Sequence, residues 1–144
     1  MSTVRPFNNE RIIAHMKKYE RRYFTDSEGD IMLRFTGEGI QFACFVMAKG
    51  ENDEILAMLA FPEKEYDRSQ WAACMDACNN WNSSHRWPAT YLRISESDNR
   101  ADVCCEFNVD LEQGVHQELL DDMINTFIAA TIEFLKWMRD DRGL

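Results

Sequence analysis

Two thiols one helical turn apart, Cys74 and Cys78, are the residues of this chain best spaced to do chemistry. On a helix that spacing puts both sulfurs on one face, where they could hold a metal ion or exchange electrons. His85 would have to swing in as a further ligand. The set lacks the close CxxC pairs of structural zinc sites. Cys104 and Cys105 are neighbours on a strand and must point to opposite faces, so at most one could join. Two thiols packed in a core satisfy the same spacing. A cysteine nucleophile needs a base, and nothing in the spacing of His15, His85 and His116 pairs one with a cysteine. The chain has no serine-nucleophile elbow, phosphate-cradling glycine loop or dinucleotide fingerprint. A small thiol- or metal-dependent enzyme or redox protein built on the cysteine cluster is therefore the second reading, not the first.

Trp81, His85, Arg86 and Trp87, with Arg93 nearby, combine stacking rings with cations, a chemistry suited to single-stranded nucleic acid. The charge balance opposes it: 16 basic against 25 acidic side chains leave a formal net charge of -9. Such a surface repels phosphate backbones and anionic lipid, so neither nucleic acid nor a membrane is expected as a partner. The stretch reads better as a structural corner. Asn79 and Asn82 finish a helix, Trp81 and Trp87 grip the core, and Pro88 directs the next strand. Asp26-Ser27-Glu28-Gly29-Asp30 resembles a calcium loop in its acids alone. Its glycine comes two places early, and Gly37 stands where the closing bidentate glutamate is needed. A solvated turn is expected there, and no cofactor or metal is expected anywhere.

The elements that must position these residues follow from periodicity. A chain of 144 residues, 45% hydrophobic, fits one domain over residues 1–144 and is long enough to bury a core without a staple. The longest apolar run, residues 55–61, falls far short of the ~20 needed to span a bilayer. The N-terminus lacks the basic-then-apolar plan of a secretory signal, and five cysteines without a regular framework suit a reducing cytoplasm. Asn8 and Asn9 can cap a first helix whose stripe is Ile12, Ile13, Met16, Tyr19 and Tyr23, with His15 at its border. Period two then gives strands at about 30–36, 40–48 and 54–61. Asp67 with Gln70 resembles a capping box for a second helix. Strands led by Pro88 and Ala101 flank a turn at Ser97 to Arg100, and Gly114 precedes a long helix over about 116–139. The order is αβββαββα: an α+β fold with a single antiparallel β-sheet and three helices.

If both turns among the first three strands are simple hairpins, Ile31, Leu33, Phe35, Ala43, Phe45, Met47, Ile55, Ala57, Leu59 and Phe61 share the core face. The opposite face then carries Met32, Phe42, Val46, Leu56 and Met58, too apolar for solvent. One of the protein's own helices covers that face, or it is a partner or dimer surface.

Cys78-Asn79-Asn80-Trp81-Asn82, then Trp87-Pro88-Ala89-Thr90-Tyr91-Leu92, then Phe107-Asn108-Val109 with Gly114-Val115, resemble in type and spacing the bacterial YbjN-domain family, described as sensory-transduction regulators. The resemblance spans roughly residues 10–138. It implies a fold similar to the type III secretion chaperones, which are dimers without enzymatic activity that hold client segments on apolar surfaces. It brings no catalytic residues. His116 departs from the family by standing where a serine-like cap is usual, and the hairpin at Ser97 to Arg100 lacks the common glycine. The expected function is a cytoplasmic, non-enzymatic homodimer that holds a protein partner, with chaperone-like or regulatory consequences.

Overall fold

In the computed structural model residues 3–144 are described; Met1 and Ser2, which open the stretch read for a secretory signal, lie outside the described residues. Helix α1 (Asn9–Lys18) is capped by Asn8, whose side chain accepts the Arg11 N–H at 3.2 Å. It stops before Tyr23 because Glu20 turns left-handed, with φ 53°. The Glu20 N–H then reaches Lys17 O (3.2 Å) and the Arg21 N–H reaches Met16 O (2.8 Å), closing the helix end as a Schellman motif without glycine.

The strands are β1 (Phe24–Thr25), β2 (Ile31–Gly37), β3 (Ile40–Lys49), β4 (Ile55–Pro62), β5 (Tyr66–Asp67), β6 (Ala89–Ser95) and β7 (Arg100–Asp110). Helix α2 (Trp71–Ser84) follows a 3₁₀ turn and the capping box of Asp67 and Gln70, and α3 spans Gln117–Asp140. The order is the expected one, with β1 and β5 added; two-residue strands carry no alternation to read. All pairings are antiparallel in one open sheet, β1-β2-β3-β4-β7-β6, and β5 joins β7 at Ala101. Residues of β7 have partners on both edges: Glu106 pairs with Leu59 and with Ala89.

Register corrects one expectation. Gly37 pairs with Ile40, so the turn is only Glu38-Gly39, both at positive φ (54° and 79°), the two-residue geometry that matches strand twist. A three-residue turn over Gly37-Glu38-Gly39 would place Phe35 beside Ala43 and Phe45 on one face. The tighter turn pairs Phe35 with Phe42 and Leu33 with Cys44, and a shift of one residue sends every β3 side chain to the other face. β4 follows β3, with Val46 opposite Met58 and Ala48 opposite Leu56. The core face of the sheet is thus Ile31, Leu33, Phe42, Cys44, Val46, Leu56, Met58, Ala60, Val103 and Cys105. Phe42, Val46, Leu56 and Met58, expected as partner surface, are buried under the protein's own helices, with 3% exposure for Phe42 and 0% for the others. The alternative left open by the sequence is the one the fold adopts.

Helix α3 supplies Leu120, Ile124, Phe127, Phe134, Leu135 and Met138 to this core, α2 supplies Trp71, Cys74, Cys78 and Trp81, and α1 supplies Ile12 and Met16. His116 caps α3 after all, its Nδ1 accepting the Leu119 N–H at 3.1 Å. The Glu38-Gly39 turn is tied to the end of α3 by Lys136 on the Glu38 carboxylate and Arg139 on the Glu38 carbonyl.

Helices α1 and α3 meet around buried polar groups. His15, at the border of the stripe in sequence, has no exposure at all, and Asp121 on α3 is also buried. Asp121 Oδ1 takes hydrogen bonds from His15 Nδ1 (2.9 Å) and Gln117 Nε2 (3.0 Å), and Oδ2 from Lys18 Nζ (2.9 Å). On the other side of the ring Arg21 Nε donates to His15 Nε2 at 3.2 Å. Arginine has no acceptor, so Nε2 keeps its lone pair and the proton sits on Nδ1. Burial holds His15 below its ordinary 6.5, against the opposing bond and charge of Asp121. Burial alone would raise Asp121, but the bonds from Lys18, Gln117 and His15 bring it below the usual carboxylate value.

Two outcomes follow from these positions. Leu56→Ala is expected to cost roughly 2–5 kcal/mol, measured as a lower urea midpoint at unchanged slope. Because the folded chain prefers neutral His15, its contribution is complete above pH 6.5 and is lost as pH falls from there toward the lower folded value. The urea midpoint should therefore be lower at pH 5.5 than at pH 7.5, a window above the carboxylates.

Candidate docking face

With all three helices packed on one side, the other side of the sheet has no cover from the described residues. Alternation places Met32 and Arg34 of β2, Ala43, Phe45 and Met47 of β3, and Ile55, Ala57, Leu59 and Phe61 of β4 on it. Beside them β7 contributes Asp102, Cys104, Glu106, Asn108 and Asp110, and β6 contributes Tyr91 and Arg93. Phe24 of β1, 50% exposed, lies next to Met32 at the far margin. Phe45 and Phe61 stack with centroids 6.1 Å apart, and each is only partly buried. Sequence alternation had assigned these residues to the core. The small side chains among them, Ala43, Ala57 and Cys104, are buried on this face.

The apolar centre has a charged rim. Arg93 makes a fork to Asp102, with Nε at 3.0 Å and Nη2 at 2.7 Å, and its guanidinium lies 4.8 Å from the Phe61 ring centroid. Arg34 pairs with Glu63 at 3.4 Å, and the Tyr91 hydroxyl donates to Glu106 at 3.4 Å. A trough of about 440 Å³ runs over Met32, Arg34, Phe45 and Phe61, and a second of about 570 Å³ runs over Arg93, Ser95 and Arg100. They meet at Glu65 and Asp102, which line both. Paired rim charges around an apolar floor are a surface that can lose water to a complementary protein at modest electrostatic cost. Of the residues expected as partner surface, Met32 alone is on this face.

The corner residues are also divided. Trp81 is buried among Phe134, Trp137 and His85, as expected. Trp87 does not grip the core: it is 44% exposed and touches the Phe107 ring edge-on at 6.4 Å. Asn79 lies exposed inside α2, which runs on to Ser84, so it does not finish the helix. Asn82 joins the helix to the strand, its carboxamide donating to Thr90 O and accepting from Thr90 N, both at 2.9 Å. Pro88 is buried and starts the chain into β6, joined to Trp87 by a cis peptide.

The cysteine cluster has the geometry of packing. All five thiols are free and buried. Burial raises Cys74 to about 11 and Cys44 to about 12, and it raises Cys78 and Cys105 as well. A thiol so far from ionising is a poor nucleophile and a poor metal ligand at neutral pH. His85 stacks on Trp81 at 3.6 Å, and its Nδ1 lies 2.9 Å from Ser84 Oγ rather than against a sulfur. Among the described residues the potential metal ligands that converge are Asp26, Glu28 and Asp30. Two of these carboxylates are engaged: Asp26 Oδ1 accepts the N–H groups of Glu28 and Asp30 (both 2.9 Å), and Asp30 is paired with Lys49 at 2.8 Å.

Two features escaped the sequence. The identity of the open face depends on a register that alternation cannot fix when both faces are apolar. The His15 and Asp121 pair joins residues 106 positions apart, and its faint signal is an ionisable side chain beside each of two apolar stripes.

Comparison with known proteins agrees with the fold. The YbjN family profile, described as "Putative bacterial sensory transduction regulator", matches residues 8–140. A crystal structure of YbjN from E. coli, described as "a putative transcription regulator", superposes with a TM-score of 0.74 over 94% of each chain at 13% identity. At that identity the likeness shows the fold alone. No curated protein matches the chain.

The thiol positions make a simple expectation: in native protein the five cysteines react with a thiol reagent far more slowly than in urea, where all five react together. One rapid native thiol would restore the cysteine-centred reading.

Proposed function

Because the chain belongs to the YbjN family, we propose that it is a regulatory, non-enzymatic protein-binding module. In this reading it works in the cytoplasm as one domain and as a homodimer, and holds a partner protein on the uncovered face of the sheet. The observation that supports this is the apolar floor of Met32, Phe45, Leu59 and Phe61 left without helix cover. Monomeric proteins seldom leave so contiguous an apolar area to water. The net charge of -9 keeps nucleic acid and anionic membranes off the surface, and no helix among the described residues is long and apolar enough to cross a membrane. The raised thiols and the engaged carboxylates weigh against a cysteine or metal enzyme.

Two measurements test this. Light scattering at micromolar concentration should give twice the 16.9 kDa chain mass. A photo-crosslinking amino acid at Phe45 should yield a covalent protein adduct in the native cell, whereas one at Glu51, in the β3–β4 loop, should not. A monomer at every concentration together with no adduct at Phe45 sinks the proposal. Phe45→Asp and Leu59→Asp should abolish assembly with urea midpoints close to the parent, since the side chains are only partly buried. Val46→Asp, by contrast, should unfold the chain, because it places an unpaired charge in the core.

A further inference from the structure

The end of α1 is held by a device that a proton can undo. Glu20 sits at φ 53°, a conformation that costs an ordinary residue roughly 1 kcal/mol or more and persists where neighbours enforce it. Beside the two backbone bonds that close the helix end, the Arg21 side chain ties this turn to its neighbours. It crosses from the helix end to His15 Nε2 (3.2 Å) and to Asn125 Oδ1 on α3, reached by Nη2 at 2.8 Å. Four residues further on the chain has become β1, whose Phe24 and Thr25 pair with Met32 and Ile31 at the margin of the open face.

The Arg21 contact exists in one protonation state only. An imidazole with its proton on Nδ1 accepts at Nε2; an imidazolium has donors at both nitrogens and nothing to offer a guanidinium. We propose that His15 and Arg21 form a proton-operated latch: a proton taken from solvent at His15 Nε2 expels the Arg21 side chain, and the segment from Tyr19 to Thr25 comes away from α3 and β2.

The groups facing His15 decide which way the latch moves. From α3 they are Asp121, with the neutral Gln117 on the same oxygen, and Asn125 beyond Arg21. From α1 and its C-cap they are Lys18 on Asp121 and the Tyr19 ring, 4.8 Å from the imidazole. From the segment after α1 it is Arg21, and from β3 it is the Cys44 thiol, close enough to influence Arg21. Asp121 attracts the incoming proton, and it stays bonded to Nδ1 of the ring in either state. The two cations and burial oppose the proton. The same carboxylate therefore keeps the imidazolium in place once it forms, and Arg21, which is half-exposed, is the group that can leave for water. Loss of β1 would bare the edge of β2 and the flank of Met32, altering the margin of the open face. The latch stands or fails without reference to what docks there.

Amide hydrogen exchange on the full chain, corrected for intrinsic rates, tests it alongside the His15 ring resonances. Between pH 7.5 and pH 5.5 protection at Arg21 and Phe24 should fall by up to about tenfold for each pH unit below 6.5, the ordinary value that His15 regains once the segment is open. Val46 and Leu56 amides should keep theirs. Arg21→Met should show weak protection of the segment at both pH values and no step. Asn125→Ala removes the other acceptor of the guanidinium and should enlarge the step. The proposal is overturned if His15 titrates while the segment stays protected. It is overturned equally if protection of the segment is unchanged down to pH 5, or if the step survives unchanged in Arg21→Met or Asn125→Ala.

Discussion

The turn Glu38-Gly39 fixes which half of this sheet is protein interior. Two residues at positive φ set the pairing of β2 with β3, β3 sets β4, and β4 sets β7, so one local geometry propagates to every strand before α3. The turn is itself fastened, with Lys136 and Arg139 of α3 holding Glu38 at both carboxylate and carbonyl. The helix that covers the core face thus also secures the turn that defines it. A slip by one residue would bury Phe45, Leu59 and Phe61 and push Val46, Leu56 and Met58 into water. Both arrangements are apolar enough to collapse, and the anchored turn separates them.

The balance of sheet and helices then has a geometric result. Three helices on one side complete a two-layer core, and the second side of a twisted sheet is left over. Its large apolar side chains, Met32, Phe45, Leu59 and Phe61, are neither the charged set of a solvated face nor fully buried. Arg93 lies over Phe61 and is forked to Asp102, so its apolar stem and planar cation shade an aromatic ring while its charge is already satisfied. Such pairing lets the face remain in water and still be dehydrated by a fitting surface. The electrostatic cost of uncovering lone charges is avoided.

Much of this was legible in order along the chain. The capping box of Asp67 and Gln70, the stripe of α3 and the inward set Val103, Cys105, Phe107 and Val109 follow from spacing alone, because each is a local property of one element. What spacing could not supply is relational. Phe42 and Phe45 are equally apolar, and only the length of a turn says which one meets a helix. Trp87 looked like an anchor by its size, yet its position outside the covered strand leaves it 44% exposed. Asp121 stands among the acids near the start of α3, where a helix N-terminus favours them. It is the acceptor for three side chains, because α1 crosses at that level. The sheet was readable from composition and period; the assignment of its faces required knowing which strand residue faced which.

The carboxamide of Asn82 adds a last point about how this molecule meets others. On Thr90 it occupies both backbone positions that a further strand would claim, so the outer border of β6 begins with a side chain imitating a neighbour. A chain seeking to extend the sheet there has to evict a group that already satisfies the backbone and is tethered to α2. Stacking end to end into fibres is disfavoured at that border, and the sheet's broad flat side is left as the natural place of contact. A sheet guarded at the start of this border and open across its face is suited to discrete, countable assemblies rather than endless ones.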